Sequence, residues 1–143
     1  MPTTVREHRI LMVDDDDMMR ILFRDTFWIH SQADRTYDVT AVRSIPEAEA
    51  HLAQAPVCPD VIFMGLWLLT THADHTTSRE SQPTLDFIKR LKQNPTYSHM
   101  IIVIYSRFSE AEFKEKAKQA GADHYLVKGE LTPLEMVEFV EKL

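Results

Sequence analysis

The sequence predicts an α/β protein in which five parallel strands form one sheet with helices on both faces. Short apolar runs alternate with longer segments whose apolar residues recur at helical spacing. The runs are continuously apolar rather than alternating, so both faces of each strand are expected to be covered. This pattern is typical of a doubly wound sheet, whose functional crevice lies at the carboxyl ends of its strands.

The first strand and helix are predicted from residues 9–29. Residues Ile10 to Val13 are apolar and run directly into four aspartates, which is typical of a short buried strand that ends at a polar edge. Residues 18–29 then carry a wide apolar stripe at helical spacing. Trp28, within this helix, and Trp67 are both predicted to be packing residues, with Trp67 also a candidate to line the crevice.

The middle of the chain contains two further strands and one polar insertion. Residues 37–42 are rich in β-branched side chains, and the capping signature Ser44 to Glu47 opens the next helix. Residues 61–64 form a third buried strand, which ends at Gly65. Residues 70–82 are polar and without periodicity, so they are predicted to be an inserted loop that either folds back over the crevice or stays solvated.

The remaining units repeat the same pattern of a helix followed by a strand. Three helix starts are predicted at Pro83, at a capping signature that begins with Ser109, and at another that begins with Thr132. The helix from Pro83 is followed by a strand at residues 100–105, with Ser106 at its end, and the helix from Ser109 by a strand at residues 124–127, with Lys128 at its end. The last helix is predicted to face the core with apolar residues that include Leu143.

Length and composition indicate one domain covering residues 1–143, with its core at about 8–143. No apolar run approaches the roughly 18 residues that cross a bilayer, and the first residues lack a secretory signal, so a cytoplasmic protein is expected. The single cysteine, Cys58, is predicted to be a small buried hydrophobe. A formal net charge of −6 argues against direct nucleic-acid binding and favours a protein or small-ligand partner.

The four adjacent aspartates at residues 14–17 point to a cation site. Carboxylates a few ångströms apart repel one another unless a cation or a helix N-terminus compensates their charge. Some of these side chains are equally well explained as caps of the next helix. Asp14 and Asp15, directly at the strand end, are the candidates for binding a metal ion.

The residues at the strand ends resemble those of receiver domains in two-component response regulators, over residues 10–143. In that family the first strand ends in an acidic pair that holds Mg²⁺, which matches Asp14 and Asp15. A Ser or Thr after the fourth strand and a Lys after the fifth contact the phosphoryl group, which matches Ser106 and Lys128. The aromatic switch residue of the family matches Tyr125. The resemblance implies the flavodoxin-like (βα)5 receiver fold.

The chain departs from this family at the residue that accepts the phosphoryl group. The third strand of a receiver ends in an Asp that is the nucleophile, whereas here residues 59–64 are followed by Gly65. Glycine has no side chain to attack phosphorus or to bind Mg²⁺. Asp60 lies at the other end of the strand and cannot replace it. Gly129, in place of the usual Pro after Lys128, is a second departure.

These observations predict a stand-alone receiver-like module of two-component phosphorelay signalling that is not an enzyme. It is expected not to accept a phosphoryl group at the usual position, to require no cofactor beyond weakly bound Mg²⁺, and to act through protein partners such as a histidine kinase or a downstream signalling protein. No membrane contact is expected, and the oligomeric state is left open.

Two alternatives remain from the sequence. Gly65 could be a substitution in an ordinary Mg²⁺-dependent, phospho-accepting response regulator, since the other pocket residues are retained. The chain could also be a flavodoxin-like ligand-binding protein or enzyme. No glycine-rich phosphate loop follows any strand, which argues against the last class. Absence of a thermal shift with flavins or nucleotides would exclude it.

Overall fold

The computed structural model describes residues 5–143. Its main sheet has five parallel strands in the order β2-β1-β3-β6-β7, which confirms the predicted doubly wound, flavodoxin-like fold. The elements are β1 Arg6–Val13, α1 Asp17–Ile29, β2 Arg35–Val42, α2 Ile45–Gln54, β3 Val61–Met64, β4 Leu68–Thr71, β5 Thr77–Glu80, α3 Gln82–Gln93, β6 Ile101–Ser106, α4 Ala111–Ala120, β7 His124–Val127 and α5 Pro133–Glu141.

The helices cover the two faces of the sheet unequally. Helices α1 and α5 pack on one face, where Phe23 lies against both Phe27 and Phe63 of the central strand β3. Helices α2, α3 and α4 cover the other face with mainly aliphatic side chains. Strand β3 lies between β1 and β6, and all four of its residues are buried, as its continuously apolar sequence requires. Because the strands are parallel, their carboxyl ends meet at one edge of the sheet.

Two of the three predicted helix caps are present, and the third is not. The Ser44 hydroxyl accepts the Glu47 N–H at 3.2 Å, and Thr132 forms a reciprocal capping box with Glu135. Ser109 is not a cap: α4 begins one residue later than its signature requires, with Glu110 at the N-cap and no side-chain bond. A sequence signature shows that a side chain is able to cap a helix, but the backbone conformation before the helix decides whether that cap forms.

The segment predicted as a polar loop is instead largely an antiparallel hairpin of β4 and β5, which together form a second, two-stranded sheet. Its turn is built by Asp74, whose carboxylate accepts the N–H and the hydroxyl of Thr76 at 3.1 and 2.6 Å. His75 adopts a left-handed backbone with φ of 68°. The flanking Thr-Thr pairs supply β-branched residues for the strands, a hairpin signal that the polarity of the segment masks.

The apolar stripe of α1 is wider than the side of the helix that packs against the sheet. Phe23 and Phe27 are buried, whereas Trp28 is 79% exposed, so the prediction that it is a packing residue is wrong. Leu143 was predicted to face the core and is also exposed. One helix can bury only the side that faces the sheet, so part of a stripe this wide must face solvent. Within residues 5–143, no helix is both long enough and apolar enough to cross a membrane.

Candidate functional site

The five predicted pocket residues lie together at the carboxyl edge of the sheet. Asp14 follows β1, Gly65 follows β3, Ser106 ends β6 and Lys128 follows β7, and the parallel register of these strands places them side by side. With Asp15 they line a cleft of about 440 Å³. One wall of the cleft comes from the hairpin and the chain leading into it: Trp67, which the sequence offered as a crevice residue, and Leu68 and Arg79, which it did not.

Asp14 is held by contacts inside the protein. It is only 3% exposed, and its Oδ2 accepts a hydrogen bond from the Lys128 ammonium at 2.6 Å. Its Oδ1 accepts the Asp16 N–H at 2.9 Å. A buried carboxylate is stable only when its charge is compensated, and here Lys128 supplies that compensation. The main chain fixes the pair, because the Lys128 N–H donates to the Ser106 carbonyl at 2.7 Å.

Asp15 binds a second internal cation, which comes from the hairpin. Nη1 of Arg79 lies 2.9 and 2.8 Å from the two carboxylate oxygens, and the Leu69 N–H donates to Oδ2 at 2.7 Å. The Asp15 side chain is 8% exposed and that of Arg79 is 47% exposed. The hairpin is therefore fastened across the cleft by one charge-assisted contact and one backbone hydrogen bond, both to the same carboxylate.

Glycine is favoured at the two glycine positions of the cleft for different structural reasons. At Gly65, an added Cβ would lie 3.0 Å from Cδ2 of Leu68, so any larger residue there would require the Leu68 side chain to shift. The Gly65 carbonyl accepts a hydrogen bond from the buried Thr84 hydroxyl at 3.3 Å. At Gly129 the space is open, but φ is +91°, a backbone region that favours glycine.

An aromatic group continues from the cleft to the surface beside α4. Trp67, Phe108 and Phe113 pack edge to face with ring centroids 5.7–6.2 Å apart. The predicted switch residue, Tyr125, donates its hydroxyl proton to the Phe108 carbonyl at 2.6 Å, and the Phe108 N–H donates to the buried Ser106 hydroxyl at 3.2 Å. Burial raises the pKa of Tyr125 above its ordinary value. Side-chain contacts and hydrogen bonds therefore link the hairpin, the cleft and the surface beside α4.

The donor set does not fit a divalent cation such as Mg²⁺ in this arrangement. Such an ion needs near-octahedral oxygen ligands. Three of the four carboxylate oxygens of Asp14 and Asp15 already contact Lys128 or Arg79, and the fourth accepts a backbone N–H. Position 65 offers no side-chain oxygen, and residues 5–143 contain no cluster of three His, Cys, Asp or Glu side chains suited to a metal. A metal ion would have to displace the protein's own cations.

Arg79 is the site residue that the sequence reasoning missed. It lies in the segment predicted as a loop, 64 residues after its partner Asp15, and no local pattern connects the two. The available signal was indirect. β-branched pairs on both sides of Asp74 favour a hairpin, and a hairpin that leaves β3 at the crevice must pass close to the acidic strand end.

Comparison with known proteins gives likenesses of structure only. No family model matches the chain, and no curated protein sequence matches it. The chemotaxis protein CheY4 of Vibrio cholerae is 20% identical, with 96% of this chain and 98% of that chain covered and a TM-score of 0.75.

Two further solved structures are similar. The phosphorylated cyanobacterial phytochrome response regulator RcpA is 18% identical, with coverages of 96% and 91% and a TM-score of 0.71. A CheY-like receiver domain protein of Methanospirillum hungatei is 16% identical, with coverages of 96% and 93% and a TM-score of 0.72. At these identities the likeness establishes the receiver fold and nothing finer.

Proposed function

We propose that this chain is a receiver-like module of two-component phosphorelay signalling that does not accept a phosphoryl group at the usual position and acts through protein contacts rather than as an enzyme. Its fold is that of response regulators from several organisms. Ser106, Lys128, Asp14 and Asp15 lie together in the crevice where receivers bind a phosphoryl group. The position of the nucleophile, however, is Gly65.

The observation that carries this proposal is the contact between Arg79 and Asp15. Phosphoryl transfer to a carboxylate relies on a positioned nucleophile and on a metal ion that neutralises charge at the phosphate. Here the nucleophile is absent, and the carboxylate that would hold the metal is bound by a guanidinium from the hairpin. Leu68 also occupies the space beside Gly65. Three features thus oppose the same chemistry: the glycine after β3 and two side chains of the hairpin.

The test is labelling with acetyl phosphate in the presence of Mg²⁺, read by intact mass. The unaltered chain is expected to remain unlabelled, because it has no nucleophile positioned for attack. Gly65→Asp restores the carboxylate, and Gly65→Asn is the matched control of nearly equal volume without a nucleophile. An acyl phosphate on Gly65→Asp is recognised by its mass and its loss on hydroxylamine treatment.

A third variant tests separately whether the nucleophile or the space around it limits labelling. Since Leu68 would lie within 3.0 Å of the new Cβ, Gly65→Asp combined with Leu68→Ala is expected to label faster than Gly65→Asp alone. Ready labelling of the single variant would favour the alternative that Gly65 is a substitution in a phospho-accepting regulator. Phosphate on the unaltered chain, at Ser106 or at any other crevice residue, would refute the proposal.

The partner surface that we propose is the face of α4, β7 and α5 around Tyr125. The aromatic group behind it connects this face to the cleft, and Phe108 is 38% exposed there. Charge reversal at Glu112, Lys116 and Glu138 together is expected to remove the partner proteins that the unaltered chain retains from a lysate of its source cells. An unchanged set of partners would place the binding face elsewhere.

A further inference from the structure

Helix α1 carries an apolar surface that the fold leaves uncovered. Eleven large apolar side chains are exposed in the described part of the chain, and five of them belong to this helix. Their exposed fractions run from 52% to 79%. Because scattered single apolar residues are normal on a surface but a cluster of five is not, this face of α1 is a candidate interface. The five residues are Met18, Ile21, Leu22, Trp28 and Ile29.

A groove runs along this face between α1 and the edge strand β2. It has a volume of about 540 Å³ and is lined by Ile21, Arg24, Asp25 and Trp28 from the helix. Tyr37, Asp38 and Val39 line it from the strand, which among residues 5–143 is the outermost strand of the sheet. The groove lies beside this outer edge of β2 and is separate from the cleft at the strand ends.

Two opposite charges lie at the middle of the helical side of the groove. Arg24 and Asp25 are both exposed, and neither forms an ion pair with any residue in positions 5–143. On the same helix, by contrast, Arg20 and Asp17 pair with each other. If a second copy of the chain lies against this helix in the opposite direction, the positive charge of each copy can face the negative charge of the other.

The spacing of the four helical residues has the symmetry that such a pairing requires. Positions 21, 24, 25 and 28 form one helical face, and the set reads the same from either end. If two α1 helices pack antiparallel about a two-fold axis between positions 24 and 25, Arg24 of each copy meets Asp25 of the other. Ile21 of each copy then meets Trp28 of the other. A two-fold interface uses one patch twice, and this patch complements itself in both charge and apolarity.

We infer from this geometry that the chain forms a two-fold dimer through the groove between α1 and β2, with α1 packed antiparallel on its counterpart. The five exposed apolar side chains offer roughly 500–700 Å² per copy, near the ~800 Å² per partner of a standard interface. The residues of β2 add the remainder. An interface of this size without a larger apolar core is expected to dissociate in the micromolar range, at about 1–100 µM.

The test is the mass of the full chain in solution, measured by sedimentation equilibrium or light scattering across about 1–300 µM, a range that brackets the expected dissociation constant. The weight-average mass should rise from 16.6 kDa toward twice that value. Arg24→Glu and Asp25→Lys each oppose like charges across the axis and are expected to weaken dimerisation about tenfold or more. Val57→Ser, which removes an exposed apolar residue elsewhere, is the control and should leave the constant unchanged.

The double variant with both changes decides the arrangement. Arg24→Glu with Asp25→Lys exchanges the two charges, so the antiparallel pairing becomes favourable again and dimerisation should recover. All these positions are exposed, so circular dichroism is expected to be unchanged in each variant. A chain that stays monomeric at the highest concentration overturns the inference. So does a double variant as weak as the single ones, because charge pairing across the axis would then be absent.

Discussion

Replacing Arg79 by Gln is the change that most directly tests how the hairpin controls the cleft. Nη1 of Arg79 contacts both oxygens of Asp15, and any divalent cation at this edge must compete with it. Gln removes the charge and keeps most of the side-chain length. The unaltered chain is expected to bind Mg²⁺ only weakly, with no submillimolar affinity, and Arg79→Gln is expected to bind it more tightly.

The size of the effect follows from the contact that is lost. A hydrogen bond to a charged group contributes about 1.5–3 kcal/mol, and Arg79 is half exposed, so water screens the pair and the lower part of that range applies. About 1.5–2 kcal/mol corresponds to a gain in Mg²⁺ affinity of about ten- to thirtyfold. The Leu69 N–H still binds Asp15 in the variant, which keeps the gain from being larger.

Isothermal titration calorimetry at constant ionic strength measures this gain. Arg107→Gln is the matched control: Arg107 lines the same cleft and carries the same charge, but it forms no ion pair with any of residues 5–143. Its removal acts only through long-range, screened electrostatics, and about threefold is the most that we expect. Equal effects of the two variants, or a submillimolar Mg²⁺ affinity of the unaltered chain, would refute the claim that Arg79 specifically takes the place of the metal.

Two further predictions concern stability. Burial, together with the hydrogen bond to Glu141, raises the pKa of Tyr37 to about 12. Burial opposes ionisation of Glu141 as well, but the same hydrogen bond and the nearby positive charge of Arg35 outweigh it and lower the pKa of Glu141. Tyr37→Phe should lower the free energy of unfolding by about 1 kcal/mol in urea at pH 7. Because the folded-state pKa of the phenol is the higher one, this difference should be complete below about pH 10 and fade toward pH 12; a difference that does not depend on pH would contradict the assignment. Thr132→Ala should cost about 1 kcal/mol by the same measurement, whereas Ser109→Ala, at the signature that does not cap, should cost nothing measurable.

Local sequence determined the strands, most helices and the place of the cleft. Runs such as 61–64 are apolar throughout, so only a sheet covered on both faces buries them, and parallel strands then bring their carboxyl ends to one edge. Asp14, Ser106 and Lys128 could therefore be placed together before any coordinates were known. Their proposed functional roles still depend on the labelling and binding experiments.

Local sequence failed where more than one arrangement satisfied the same pattern. Ser109 begins a valid capping signature, but the chain enters α4 by a path that leaves its hydroxyl unused. The apolar stripe of α1 is wide enough to face the sheet from more than one direction, and only packing against β3 and α5 decides that Phe23 is buried and Trp28 is not. Periodicity gives the type of element, and neighbouring elements choose the face.

The tertiary structure alone decided what fills the cleft. Arg79 and Asp15 are 64 residues apart, and they meet because the hairpin brings Arg79 to the acidic end of β1. A lone arginine in a polar segment has many possible partners, and its choice depends on which carboxylate the folded chain leaves buried and uncompensated nearby. The sequence by itself showed that position 65 carries no side chain. The fold added that Leu68 packs beside this position and that the guanidinium of Arg79 binds the neighbouring carboxylate of Asp15.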